Sequence, residues 1–183
     1  MSSSTSALQQ KNAKHLIQSF SDLSYIKNPE STHIISRADG VYIYDNDGKK
    51  ILDSMSGLWC VNMGYGQQSI IEAVNEQMKE LVYYNNFFGS SHPSAIKLSE
   101  MIADKTPEGM NKVYFCGSGS EANDTVVRLA RHYWAARGNP SKSVIISRTN
   151  AYHGSTMAGA SLGGMSAMHA QGGLPIADIE HID

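Results

Sequence analysis

KVYFC (112–116), GSGS (117–120), EANDTVVRLARHYWAAR (121–137) and SVIIS (143–147) form the stretch whose reading decides the fold. KVYFC is a short apolar run of the kind a buried parallel strand needs. GSGS hands over to a helix at 121–137 whose apolar stripe is Val126, Leu129, Ala130 and Tyr133. Arg128 and Arg131 lie off that stripe and are expected on a solvated face. Gly138, Asn139 and Pro140 stop the helix. SVIIS reads as a second buried strand, 155–169 as a Gly- and Ala-rich, weakly helical stretch, and IEHI (179–182) as the start of a third strand. The order β-loop-α-β-α-β predicts an α/β sheet with right-handed crossovers.

Upstream, THIISR (32–37), VYIYD (41–45) and KKILDS (49–54) are separated by Asp39-Gly40 and Asn46-Asp47-Gly48. Asp-Gly pairs between β-branched and aromatic runs predict a small antiparallel meander. Helices are predicted over 68–81, with Ile71, Val74, Met78 and Leu81 on one face, and over 93–104, opening on Pro93. Between them, YYNNFFGSSHP (83–93) has no clean period and reads from its residues as a packed loop covering a core. Residues 1–12 are polar and are expected to be a mobile tail. A short helix is predicted after them from the spacing of Leu16, Ile17, Phe20 and Leu23.

The 183 residues carry a net charge of -2, with 41% hydrophobic and 17% charged residues. Such a chain can bury a core, and its length suits one domain. It lacks the basic surface that nucleic acid binding needs and the apolar run of about 18 residues that a membrane span needs. Cys60 and Cys116 offer neither a disulfide framework nor metal spacing, and are expected to be buried reduced thiols; no metal site is expected. The opening MSSSTSALQQKNAKH has no apolar core of a secretory signal and no Arg before Arg37, so a cytoplasmic location is expected.

The chemistry concentrates at 117–120. Gly117 and Gly119 permit close backbone approach. The first turn of the following helix carries unpaired N–H groups and about half a positive charge. With the hydroxyls of Ser118 and Ser120, these features describe either a phosphate cradle or a Ser N-cap with a capping-box Glu. Gly117-x-Gly119-x-x-Ala122 fits the dinucleotide fingerprint, but the next strand ends Ser147-Arg148-Thr149-Asn150 without the acid that binds the ribose. No Gly-Lys-Ser/Thr occurs. A single terminal phosphate monoester fits the turn better. After the next strand come Asn150-Ala151-Tyr152-His153-Gly154-Ser155-Thr156, where open α/β sheets place their ligands. Tyr152 reads either as a Tyr packed in a turn or as a cover for a flat ring. Cradle and Tyr together suit a phosphorylated ring, such as pyridoxal phosphate.

FCGSGSEANDTVVRLARHYW and NAYHGSTMAGASLGG, with LDSMSGLWCVNMGYG (52–66) and YYNNFFGSSHP, resemble the class III pyridoxal-phosphate-dependent aminotransferases, nearest the ω-amine or putrescine:pyruvate branch. The resemblance runs from about residue 30 to the end. It implies the type I pyridoxal-phosphate transferase fold, here its N-terminal part only, with an antiparallel meander and the first part of the mainly parallel large-domain sheet. Residues 13–56 would belong to the small domain and 57–183 to an incomplete cofactor-binding large domain. It implies a homodimer and pyridoxal 5'-phosphate as cofactor. Ser118, Gly119 and Ser120 would bind the cofactor phosphate. Tyr152 would stack on the ring and face the substrate, with His153 and Gly154 completing the motif. Trp59 would line the substrate pocket. Phe87, and with it Phe88, would reach the pocket of the partner subunit. The implied reaction transfers an amino group from a primary amine or ω-amino compound to pyruvate.

That chemistry requires a Schiff-base lysine and an acid facing the pyridine nitrogen. In the family both lie well beyond the YHG motif. No Lys follows Lys142, and Asp178, Glu180 and Asp183 do not match the family acid. The expectation is therefore a fragment with no catalytic residue of its own and no transaminase activity alone. The alternatives are another type I pyridoxal-phosphate enzyme, such as a decarboxylase or aminomutase, and a non-catalytic remnant that binds phosphate or an intact subunit.

Overall fold

The fold is taken from a computed structural model, which describes residues 4–183. Two compact units result, one ending at Ser91 and the other running His92–Asp183. The first unit holds both helix 68–80 and the meander.

In the first unit, α1 (Thr5–His15) is capped by Ser4, whose Oγ accepts the Ala7 N–H at 3.3 Å. This helix comes earlier than the sequence predicts. Its polar residues have specific partners: Gln9 Nε2 donates to the Thr32 carbonyl at 2.9 Å and Asn12 Nδ2 to Thr32 Oγ1 at 3.1 Å. Leu16, Ile17, Phe20 and Leu23, the predicted helical stripe, are exposed. Residues 1–3 of the expected tail lie outside the described residues. A short α2 (Leu23–Ile26) and a 3-10 turn (Pro29–Ser31) lead into the sheet.

The meander forms as predicted from β1 (Ile35–Asp39), β2 (Tyr42–Asp45) and β3 (Lys50–Leu52), all antiparallel. Arg37 pairs with Tyr44, and Tyr44 with Lys50. Both turns use a glycine in left-handed backbone, Gly40 at φ 56° and Gly48 at φ 88°. A four-residue helical turn α3 (Ser56–Trp59) follows, and then α4 (Gln68–Glu80), whose Ile70, Val74 and Met78 are about half exposed.

The second unit opens with α5 (Pro93–Ala103), capped by His92 Nδ1 and started by Pro93. The long α6 (Gly119–Ala136) is followed by β4 (Ile145–Arg148), α7 (Met157–Leu162), α8 (Ser166–His169) and β5 (Ile179–Ile182). β4 and β5 pair in parallel, Ile145 opposite Ile179 and Arg148 opposite Ile182, and the crossover carries α7 and α8. Val127, Ala158, Leu162 and Ile179 form the core between α6, α7 and β5, with Ile145 and Ile176 against it. Among the described residues no helix is long and apolar enough to cross a membrane.

Three expectations change here. Residues 112–116 are not a strand, because a strand exists through its ladder and no described strand pairs with this segment. Cys116 lies in that segment, and both it and Cys60 are free but exposed rather than buried. Arg131 is not on a solvated face. Its Nε donates to the Ser143 carbonyl at 3.1 Å, and its Nη2 to the carbonyls of Ala177 at 2.7 Å and Asp178 at 3.4 Å. It ties α6 to the entries of both parallel strands.

Candidate cofactor site

The N-terminus of α6 carries the GSGS turn. Ser118 is the N-cap, in extended backbone with φ -158° and ψ 163°. Its Oγ accepts the Glu121 N–H at 3.2 Å, and its hydroxyl donates to Glu121 Oε2 at 3.4 Å. The Ser118 carbonyl accepts the Ala122 N–H at 3.0 Å. The cap reading of Ser118 is therefore realised. The N–H groups of Gly119 and Ser120 have no acceptor among the described residues. At Gly119 a Cβ would meet nothing within 4 Å, so the helix end faces open space. At Gly117 the room left by the missing Cβ is taken by Glu121, whose Oε2 lies 2.6 Å from where that carbon would be.

The 152–156 loop docks on this helix end. Ser155 N–H donates to Ser120 Oγ at 3.1 Å. Asn123 Nδ2 donates to the His153 carbonyl at 2.7 Å. Asp124 Oδ1 accepts from Thr156 Oγ1 at 2.6 Å and from the Gly159 N–H at 3.1 Å, so one carboxylate holds both the loop and the start of α7. Gly154 is buried in left-handed backbone at φ 123°. Tyr152 is 54% exposed. Ser118, Gly119 and Ser120, and the loop that carries Tyr152 and His153, thus meet at one helix end within the second unit.

Trp59, Phe87 and Phe88 belong to the first unit. All three are exposed, Phe88 completely, and the rings of Phe87 and Phe88 lie 6.0 Å apart. The loop 83–93 is therefore not packed over a core. Lys142 lies 3.6 Å over the Trp134 ring. At about 1.5 Å of rise per residue, Trp134 is roughly 22 Å along α6 from Gly119. The sequence assigns Asn123 and Asp124 no role and Thr156 only a place in the 150–156 loop, although Asn123 and Asp124 stand three and four places after Ser120, on the same helix face.

This helix end has two unused N–H groups, open space before it and a tyrosine-bearing loop against it, features that suit an anion. Residues 25–182 match the family described as Aminotransferase class-III, and the chain belongs to that family. It is 55% identical over 168 residues to the putrescine–pyruvate aminotransferase of Pseudomonas aeruginosa, covering 92% of this chain and 37% of that one. It is 41% identical to the diaminobutyrate–2-oxoglutarate transaminase of Halomonas elongata, over 82% of this chain and 32% of that protein. Among solved structures, a transaminase from the marine bacterium Virgibacillus superposes with a TM-score of 0.92 at 39% identity, covering 97% of this chain and 40% of that one. An (S)-enantioselective omega-transaminase from Thermomicrobium roseum gives 0.94 at 31% identity, over 100% of this chain and 40% of that one. The fold is that of the type I pyridoxal-phosphate transaminases, in part. The chain spans less than two-fifths of the length of the putrescine–pyruvate aminotransferase. Class III aminotransferases are pyridoxal-phosphate-dependent.

Proposed function

We propose that this chain forms the phosphate- and ring-binding part of an amine:pyruvate aminotransferase. The observation that carries the proposal is the docking of the 152–156 loop on the open end of α6, sealed by the Ser155–Ser120 hydrogen bond. The Gly119 and Ser120 N–H groups point the helix dipole at the cofactor phosphate. Ser118 accepts the Glu121 N–H and keeps its hydroxyl hydrogen free to turn from Glu121 Oε2 to a phosphate oxygen. Tyr152 would cover the pyridine ring, and Asn123 holds the neighbouring His153 through its carbonyl. Pyridoxal phosphate, when bound, would supply the carbonyl carbon that takes up the amino group and the ring that acts as an electron sink.

Trp59 walls the amine pocket, and Phe87 with Phe88 reaches the pocket of a partner subunit in a homodimer. The donor is a primary amine or ω-amino compound and the acceptor pyruvate. The 55% identity to a putrescine–pyruvate aminotransferase supports that choice. No lysine follows Lys142, and Lys142 is engaged at the far end of α6, so residues 1–183 alone are inactive. A cytoplasmic location is part of the same reading.

The test has two arms. The full-length protein is assayed for alanine formation from pyruvate with putrescine, and the 183-residue chain is titrated with pyridoxal phosphate and assayed in the same way. Alanine formation by the full-length protein, with none by the short chain, is expected. Turnover by the short chain would overturn the assignment of its residues as binding groups only. Absence of alanine from the full-length protein would favour a different pyridoxal-phosphate reaction.

A further inference from the structure

Residues 56–59 wind in the unusual sense. Ser56, Gly57, Leu58 and Trp59 have φ of 48°, 59°, 70° and 64°, a left-handed run in which only one residue is glycine. L-residues avoid this conformation because Cβ crowds the following carbonyl. Such outliers persist where the surroundings over-determine them, and they cluster at functional sites. The turn's backbone supplies part of the hold, Trp59 N–H donating to the Met55 carbonyl at 2.8 Å and Cys60 N–H to the Ser56 carbonyl at 2.9 Å, and one carboxylate supplies the side-chain part. Asp53 Oδ2 accepts the Gly57 N–H at 2.8 Å and the Tyr65 hydroxyl at 2.7 Å, and its Oδ1 accepts the Met55 N–H at 3.3 Å. Its carbonyl also accepts the Ser56 N–H at 3.3 Å.

Tyr65 is itself fixed to the meander. Its N–H donates to the Gly40 carbonyl at 2.7 Å, and its carbonyl accepts the Gly40 N–H at 3.2 Å. A Cβ on Gly57 would lie 3.0 Å from both the Tyr65 hydroxyl and Val61 Cγ2, so Tyr65 closes directly over the turn. At the end of this turn Trp59 stands 76% exposed.

We propose that Asp53, acting with Tyr65, is the positioning residue that holds the left-handed turn 56–59 and so sets the Trp59 wall of the amine pocket. The proposal rests on the reading of Trp59 given above. A wall set by a clamped backbone discriminates amines by bulk, and a loosened wall discriminates less. The Tyr65 hydroxyl holds the Asp53 carboxyl below its ordinary range, and Asp53 in turn raises the Tyr65 hydroxyl. Both shifts agree with a hydrogen bond to an ionised carboxylate.

The experiment uses the full-length protein with Asp53→Asn, Tyr65→Phe, Trp59→Ala and the doubles with Trp59→Ala. It compares kcat and KM for a linear diamine and a bulky aralkyl amine, with pyruvate as acceptor. Asp53→Asn and Tyr65→Phe are each expected to change the donor ratio in kcat/KM about tenfold, mainly through KM and in the direction of Trp59→Ala. In the Trp59→Ala background they change it by less than about twofold. Amide hydrogen exchange at 56–59 rises about tenfold in both single variants.

If Trp59→Ala moves the ratio and neither single variant does, the positioning role is overturned while the pocket reading stands. If Trp59→Ala leaves the ratio unchanged, both are overturned. Effects that persist unchanged in the Trp59→Ala background mark a general structural role and overturn the proposal. Should Asp53→Asn not fold, Tyr65→Phe, which removes one hydroxyl, decides alone.

Discussion

Gly154 lies directly against Ser120: a Cβ on Gly154 would fall 2.5 Å from Ser120 Oγ and 2.8 Å from Ser120 Cα. No side chain fits between the loop and the helix end, and the φ of 123° disfavours one in any case. Gly154→Ala is expected to push the loop off α6, costing about 1–3 kcal/mol, and to weaken pyridoxal phosphate binding at least about tenfold. Thermal unfolding of the apoprotein and a fluorescence titration with pyridoxal phosphate read the two effects. Unchanged affinity would show that this contact does not shape the site.

Ser118 serves both as helix cap and as proposed phosphate ligand, and one substitution separates the roles. Asp caps helices about as well as Ser, so Ser118→Asp is expected to keep stability within about 1 kcal/mol. Its charge repels a phosphate, so affinity for pyridoxal phosphate should fall far more than affinity for pyridoxal. Equal losses for the two ligands would leave Ser118 as a cap only.

Arg131 donates to three carbonyls from three separate residues of the second unit. Arg131→Met leaves those carbonyls without this donor and is expected to cost about 1.5–3 kcal/mol. Arg131→Lys recovers less than half, since an ammonium lacks the planar fork. Urea unfolding checks this, with the midpoint shifting and the slope constant. A midpoint unchanged in Arg131→Met would mean water satisfies the carbonyls equally well.

The Asp53–Tyr65 pair gives the stability of the first unit two pH limits. Asp53 is held below its ordinary range, so its contribution is full above that range and is lost as pH falls through the folded-state value. Tyr65 is raised above the ordinary tyrosine value of about 10, so its contribution is full below that value and is lost as pH climbs through the raised one. Tyr65→Phe should flatten the alkaline decline and reduce the acid one. Identical stability profiles for the variant and the parent would show that the pair contributes nothing.

What the sequence determined by itself is local. The span of α6, the Asp39-Gly40 turn, Pro93 at the start of α5 and the apolar runs of β4 and β5 are readable because periodicity and turn chemistry act within a few residues. The predicted α6 stripe is not: Val126, Leu129 and Tyr133 are exposed and Val127 is the buried residue. The GSGS turn and Tyr152 are readable for the same reason, since helix ends and turns carry their own signature. Tertiary structure decided the rest. Whether 112–116 is a strand depends on a neighbour, not on its own residues. Arg131 looks solvent-facing along α6, yet its acceptors Ala177 and Asp178 lie 46 and 47 residues on. Gln9 and Asn12 place α1 through Thr32, more than 19 residues away, which no helical spacing reveals. Leu58 and Trp59 carry no left-handed preference; their turn is tied to Asp53 and Tyr65 by hydrogen bonds that exist only once β3, the turn and Gly40 are assembled. Sequence thus specified which groups are available, and the long-range hydrogen bonds specified where they are held.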